Sequence, residues 1–439
     1  MTMGATTSPT IDDRFENLLI SPERVFEMLG KRRVGEVSFE QSEQGDARRL
    51  LLNVEKIAIE NKRLQEKTEA SYLESVSHQL HEVLLGELTE QLSATDELVQ
   101  TVLNLPENIG ELLDALAVKA CSVSKLEPIA ATMPWLYDEL IVIVNTPQFR
   151  RKDSRGRIII VETLRTALSF LGIENLRTLV PSLILKRAMP QITDPHPLIK
   201  QKLTQYATGV ALTAKRIASI SGGSRNEAYT LGVLSNLGRC AVTRLYFKLF
   251  DKIQLHLLQE CQKDKEQKRH EALLKIVPSA NHLIAMQQEF ADAVSADILE
   301  WMHLKRLPIA SAMRACANKT PAERGTLCKA LYQSRTYTQI RMLHQLKLVE
   351  MKDVKPLFNE QKFPNGALEK LKSIDIFTLP LVKNEENHRL QGAIWDEIDE
   401  LSGKFNTRSV TDDLGEVLDY ASRENNFQDI DKLLNEQCN

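Results

Sequence analysis

Apolar residues recur at three- and four-residue intervals along most of this chain. Tyr72, Leu73, Val76, Leu80, Val83 and Leu84 fall on one stripe, with charged and amide side chains between them. Val161, Leu164, Leu168 and Leu171 repeat the pattern, as do Val210, Ala214, Ile217 and Ala218. Such spacing puts each set on one face of an α-helix. Start signals agree with it. Ser21-Pro22-Glu23 offers an N-cap followed by proline at the first helical position. Ser224-Arg225-Asn226-Glu227 fits a capping box, in which serine and glutamate satisfy each other's stray backbone donors. The preceding Gly222-Gly223 marks a turn; SGGSRN is too short, and lacks the lysine, to be a phosphate-binding loop. ELIVIVN (139–145) has the β-branched content of a strand. No partner strand with turn chemistry is visible, so the pattern predicts an all-α protein.

The same pattern divides the chain into three. Residues 1–94 hold a polar, glycine-dotted linker at about 31–49 and then a long helical tract. An apolar-rich block spans 95–335, and residues 336–439 form a helical extension that is acidic from Glu385 onward. The stripe at about 51–92 must be covered by something. Packing within the chain is expected, with a homodimer through this tract as the rival. No internal repeat is seen.

Charge and composition narrow the classes further. A net charge of −3 argues against a general nucleic-acid binder. The longest apolar run, Leu140 to Val144, is too short for a bilayer, and the acidic start at Asp12, Asp13 and Glu16 is unlike a signal peptide. Six scattered cysteines without a C-x-x-C pair suit reduced thiols and a cytoplasmic protein with no membrane partner.

The central block resembles the HDOD domain, a helical relative of the HD phosphohydrolases found in bacterial signalling proteins. Leu103-Asn104-Leu105-Pro106 is similar to the family's opening segment, VNTPQF (144–149) to its asparagine signature, and residues 158–180 to its amphipathic helix with a Leu-Gly pair at Leu171-Gly172. YATGVALTAKRIA (206–218) and EAYTLGVLSNLGR (227–239) fall where HD proteins carry metal ligands, and LKRLPIASAMR (304–314) resembles the tail helix. An HD enzyme reads Leu-His-Asp-Ile-Gly-Lys where this chain has Leu234-Ser235-Asn236-Leu237-Gly238-Arg239. Imidazole and carboxylate hold the divalent ions that activate water against a phosphate ester; a serine hydroxyl and a neutral amide are poor substitutes. Tyr206 and Val294 stand where further histidines would be expected. The resemblance thus implies a degenerate site with no metal, no cofactor and no catalytic residues. Gly238 is retained, which suggests close passage of a neighbouring helix.

Two other constellations draw attention. In SVSHQLHEVL, His78 and His81 share a helix face and could bind metal with Glu74 or Glu82, and Ser-His-Gln-Leu is similar to a phospho-accepting box. No glycine-rich ATP-binding segment accompanies them, so solvent-facing histidines are expected. No nucleophile-elbow serine or cysteine exists to start a triad. FRRKDSRGR (149–157) gathers Arg150, Arg151, Lys152, Arg155 and Arg157 beside Phe149, close to Asn145. Clustered guanidinium groups suit phosphates or acidic surfaces, and a solvated loop is the bland alternative. The expected function is a non-enzymatic regulatory protein that binds other signalling proteins. A divergent metal-dependent phosphohydrolase and a nucleotide or small-ligand sensor using loop 150–157 are the competing classes.

Overall fold

The computed structural model describes residues 9–30, 53–147, 149–152, 154–318, 325–372 and 375. The expected polar linker at about 31–49, Cys438 and the whole acidic stretch from Glu385 onward lie outside the described residues. Within them the chain is all-α except for one small hairpin.

Two short helices open the chain, α1 (Ile11–Ile20) and α2 (Pro22–Met28). Thr10 and Asp13 close a capping box on α1, and Ser21 caps α2 ahead of Pro22. The tract expected at about 51–92 is one long helix, α3 (Asn53–Ser93). Its Val76, Leu80, Leu84, Leu88 and Leu92 are buried within the chain, whereas Val83 is exposed. A short α4 (Thr95–Glu97) and a π-helical segment (Leu98–Val102) lead into α5 (Ile109–Ala117), α6 (Val123–Ala131) and α7 (Pro134–Val144). ELIVIVN is therefore helix: its apolar side chains meet neighbouring helices, and burial overrides β-propensity.

Next come α8 (Leu164–Leu171) and α9 (Ile173–Ala188), joined by Gly172 at φ +76° and bent by 110°. That backbone conformation is strained for any residue with a Cβ, which explains the Leu-Gly pair. The centre of the protein is α10 (Ile199–Ile220), α11 (Arg225–Leu234), α12 (Leu237–Asp264) and α14 (Ala280–Trp301), with α13 (Gln267–Lys275) beside α12. The chain continues through α15 (Ile309–Asn318), α16 (Thr326–Gln345), α17 (Met351–Gln361) and α18 (Ala367–Lys372). Helix α10 packs on α11 and α16, while α12 packs on α14, α3 and α13. One continuous apolar core runs from Ile11 to Leu348, and a smaller one sits where α17 and α18 meet α10 and α16. Helix α16 runs straight through residue 335, and α1 is sunk against α10, α14 and α16. No single described helix is long and apolar enough to cross a membrane.

The cysteines depart from the reduced-thiol expectation. Cys316 on α15 and Cys328 on α16 are joined as a disulfide, whereas Cys121, Cys240 and Cys261 are free. Their 12-residue separation gave no spacing signal; the packing of α15 against α16 brings them together.

Candidate functional site

The polar break in the apolar stretch 229–242 is the end of α11 and the start of α12. Ser235 Oγ donates to the Gly232 carbonyl (3.1 Å), and Asn236 Nδ2 donates to the carbonyls of Gly232 (3.0 Å) and Val233 (3.3 Å). Both side chains are buried, and both donate to the Gly232 carbonyl in the last turn of α11. The glycine has its own cause. A Cβ on Gly238 would lie 2.0 Å from the Ala291 carbonyl oxygen and 2.7 Å from Ser295 Oγ. Only glycine lets α12 approach α14 this closely, and the contact is sealed by the Gly238 N–H donating to Ser295 Oγ (2.9 Å).

Around this break lies a buried polar cluster assembled from five helices. Arg239 on α12 donates from both terminal nitrogens to the Glu16 carboxylate of α1 (2.7 and 2.6 Å) and to Gln287 Oε1 of α14 (3.0 Å). Arg335 on α16 grips Asp292 of α14 through two bonds (2.9 and 2.8 Å). Tyr206 on α10 lies between them: its ring centroid is 4.8 Å from that of Phe15 and 5.9 Å from the Arg239 guanidinium carbon. Burial pushes the Tyr206 hydroxyl up to about 12, so it stays protonated. Burial also works against charge on Arg239 and Arg335, but Glu16 and Asp292 more than offset it, and both guanidinium groups are held charged.

Both arginines of this cluster are therefore matched by a carboxylate from the same chain. The donor set does not fit a transition metal, because Ser235 and Asn236 are turned onto backbone carbonyls, Tyr206 is a protonated phenol and Val294 is a buried hydrocarbon. Among the described residues no group of three or more His, Cys, Asp or Glu is arranged to hold a metal ion. Helix α1 also fills the space above. Phe15, Leu18, Leu19 and Ile20 are at most 1% exposed, and burying four such side chains contributes about 6–12 kcal/mol. That apolar face holds α1 against α10, α14 and α16 beside the polar cluster.

Residues 102–283 match the family model described as the HDOD domain. The protein contains an HDOD domain. It runs from the π-helical segment into the first turn of α14, so Glu16, Asp292 and Arg335 of the polar cluster come from outside the matched residues. Three solved structures are similar in part. A presumed phosphohydrolase from Shewanella amazonensis is 18% identical, over 63% of this chain and 93% of that one, with a TM-score of 0.38. A presumed metal-dependent phosphohydrolase from the same organism is 14% identical over 69% and 95%, at a TM-score of 0.39. A presumed signal transduction protein from Marinobacter aquaeolei is 16% identical over 64% and 62%, at 0.38. No curated protein matches the chain.

The basic stretch of the HDOD domain is not a plain loop. Arg151–Lys152 and Ile158–Ile159 form an antiparallel pair, β1 and β2, with Arg151 opposite Ile159 and Lys152 opposite Ile158. Gly156 at φ +77° supplies the turn, a signal present in the sequence but overlooked beside so much helix. Asn145 anchors the base, donating to the Val161 carbonyl (2.8 Å) and accepting from the Val161 N–H (2.9 Å). Phe149 is buried. Arg150 Nε donates to the Asn145 carbonyl (2.6 Å). Arg151 donates to the Phe170 carbonyl (3.2 Å) and stacks over the Phe170 ring at 4.3 Å. Asn145, Phe149 and Arg151 hold the base of the hairpin in place, and Arg150, Lys152, Arg155 and Arg157 are exposed.

The histidine pair divides. His78 is exposed as expected, but His81 is buried at 3%, a correction to the solvent-facing expectation. Its Nδ1 bonds with the Ser77 carbonyl (2.7 Å), its Nε2 with the Tyr246 hydroxyl (3.2 Å), and its ring stacks on His282 with centroids 3.9 Å apart. His81 stands three residues before Leu84 and seven before Leu88, which sets it on the buried face of α3; a stripe drawn through apolar residues alone leaves it out. Glu16 and Arg335 were missed for a different reason: each lies far along the chain from its partner, and nothing local distinguishes them.

Proposed function

We propose that this is a regulatory signal-transduction protein whose HDOD domain binds other signalling proteins and hydrolyses no phosphate ester. The observation that carries this reading is the bidentate contact of Glu16 with Arg239. Metal-assisted hydrolysis needs imidazole and carboxylate ligands and a cleft open to substrate. Here a carboxylate of the protein's own α1 occupies the arginine, and the residues at the ligand positions serve as helix caps. A fold stripped of that chemistry retains its surfaces, and surfaces are what a binding module uses.

The test is metal analysis of protein purified without chelator, together with hydrolysis of bis(p-nitrophenyl) phosphate in the presence of Mn²⁺. No stoichiometric metal and no turnover above buffer are expected. Tightly held metal, with turnover that falls when Asn236 or Tyr206 is replaced, would overturn the proposal.

A further inference from the structure

We propose that the β1–β2 hairpin is a rigid docking arm for an acidic protein segment that also carries apolar side chains. The inference rests on the binding-module reading and gives it a surface and a partner chemistry. Three observations converge on the arm. Ile158, Ile159 and Ile160 are 53%, 36% and 71% exposed, and they are consecutive in the chain. Ile158 and Ile160 share one side of the extended segment and Ile159 takes the other, and neighbouring exposed apolar side chains on an otherwise well-packed protein mark a contact surface. Secondly, residues 149–160 contain five basic side chains against the single Asp153, in a protein whose net charge is −3. Thirdly, the base is fixed by the two-way Asn145–Val161 bonds and by Arg151 stacked on Phe170. An arm already ordered loses less conformational freedom on binding.

The combination selects among anionic partners. Nucleic acid would satisfy the cations but presents little apolar surface to three isoleucines, and the arm carries no exposed aromatic ring on which a base could stack. A membrane surface would call for the apolar residues at the tip, where they could enter the lipid. The tip here is Ser154-Arg155-Gly156-Arg157, and the isoleucines lie toward the base. An acidic protein segment with alternating apolar side chains meets both features: carboxylates reach Lys152, Arg155 and Arg157, and the apolar residues cover the isoleucines.

Three fluorescent 12-residue peptides serve as probes in anisotropy titrations against the full chain: alternating Glu-Leu, all-Glu, and alternating Lys-Leu. The Glu-Leu peptide is expected to bind most tightly, with the affinity falling as salt rises. Ile158→Ser with Ile160→Ser, and separately Arg155→Glu with Arg157→Glu, should each weaken it at least tenfold while leaving the thermal midpoint unchanged. If the isoleucine pair variant melts early, Ile160→Ser alone replaces it, since that side chain is the most exposed. No binding of the Glu-Leu peptide, or binding equal in wild type and both variants, would overturn the proposal. So would tighter, variant-sensitive binding to a DNA oligonucleotide or to phosphatidylglycerol vesicles. Phosphodiester turnover measured on the same variants separates the two claims: turnover sinks the non-enzymatic reading, whereas peptide binding alone decides the arm.

Discussion

Replacing Glu16 by alanine breaks the ion pair that ties α1 to α12. The Glu16 and Arg239 side chains are only 7% and 15% exposed, and the carboxylate accepts two bonds from the guanidinium, at 2.6 and 2.7 Å. Removing it strands a buried charge whose remaining side-chain acceptor is Gln287, at 3.0 Å. Losing one partner of a buried pair costs about 3–5 kcal/mol, because the other charge stays desolvated without compensation. An exposed pair provides the control. Lys62 and Glu66 are 78% and 63% exposed and 3.9 Å apart, and such a pair is worth about 1 kcal/mol at most. Urea unfolding followed by far-ultraviolet circular dichroism should therefore separate Glu16→Ala from Glu66→Ala by at least about 2 kcal/mol. The double variant Glu16→Leu with Arg239→Met removes both charges and leaves apolar volume in their place. It should recover most of the loss, since a buried ion pair replaced by well-packed hydrocarbon is often neutral or stabilising. A Glu16→Ala cost below about 1 kcal/mol, or a double variant no better than the worse single one, would refute the account of a desolvated ion pair.

Three further outcomes are expected. Gly238→Ala should destabilise by about 2 kcal/mol or more in urea unfolding, because the added Cβ would sit 2.0 Å from the Ala291 carbonyl oxygen and overpacking outweighs the roughly 1 kcal/mol gain in helix propensity; a stabilised variant would contradict the close helix approach. Reducing the Cys316–Cys328 bond should lower the unfolding free energy by about 3 kcal/mol for a loop of this size, and an unfolding curve unmoved by dithiothreitol, or two thiols titrating without it, would argue against the pairing. Burial holds His81 and His282 below the usual histidine value of 6.5, so the unfolded chain takes up their protons first as pH falls. Stability from this pair is complete above pH 6.5 and declines below it; the urea midpoint should drop between pH 7.5 and 5.5, and His81→Phe should flatten that slope, while an unchanged slope would remove the stacked pair as its cause.

How much of this was legible in the sequence follows from the range over which each interaction acts. Helix formation and the caps at Ser21 and Ser224 depend on residues within about one turn of each other, so spacing alone revealed them, whereas the lack of ligands at Ser235 and Asn236 was read from the resemblance to the HD sequence pattern. Gly238 was legible as a close approach, because a glycine weakens a helix and is kept inside one where a neighbouring backbone leaves no room for a Cβ. Periodicity shows that a helix has an apolar face, but not which helix will cover it. The Glu16–Arg239 contact joins residues 223 apart, and the Arg335–Asp292 contact joins two helices through a crossing that no local pattern encodes. The inward turn of His81, the meeting of Cys316 with Cys328, and the pinning of Arg150 and Arg151 to the base of the hairpin have the same origin. Each was decided when helix faces already marked out by the sequence chose their partners, a choice made by the summed packing of the whole core.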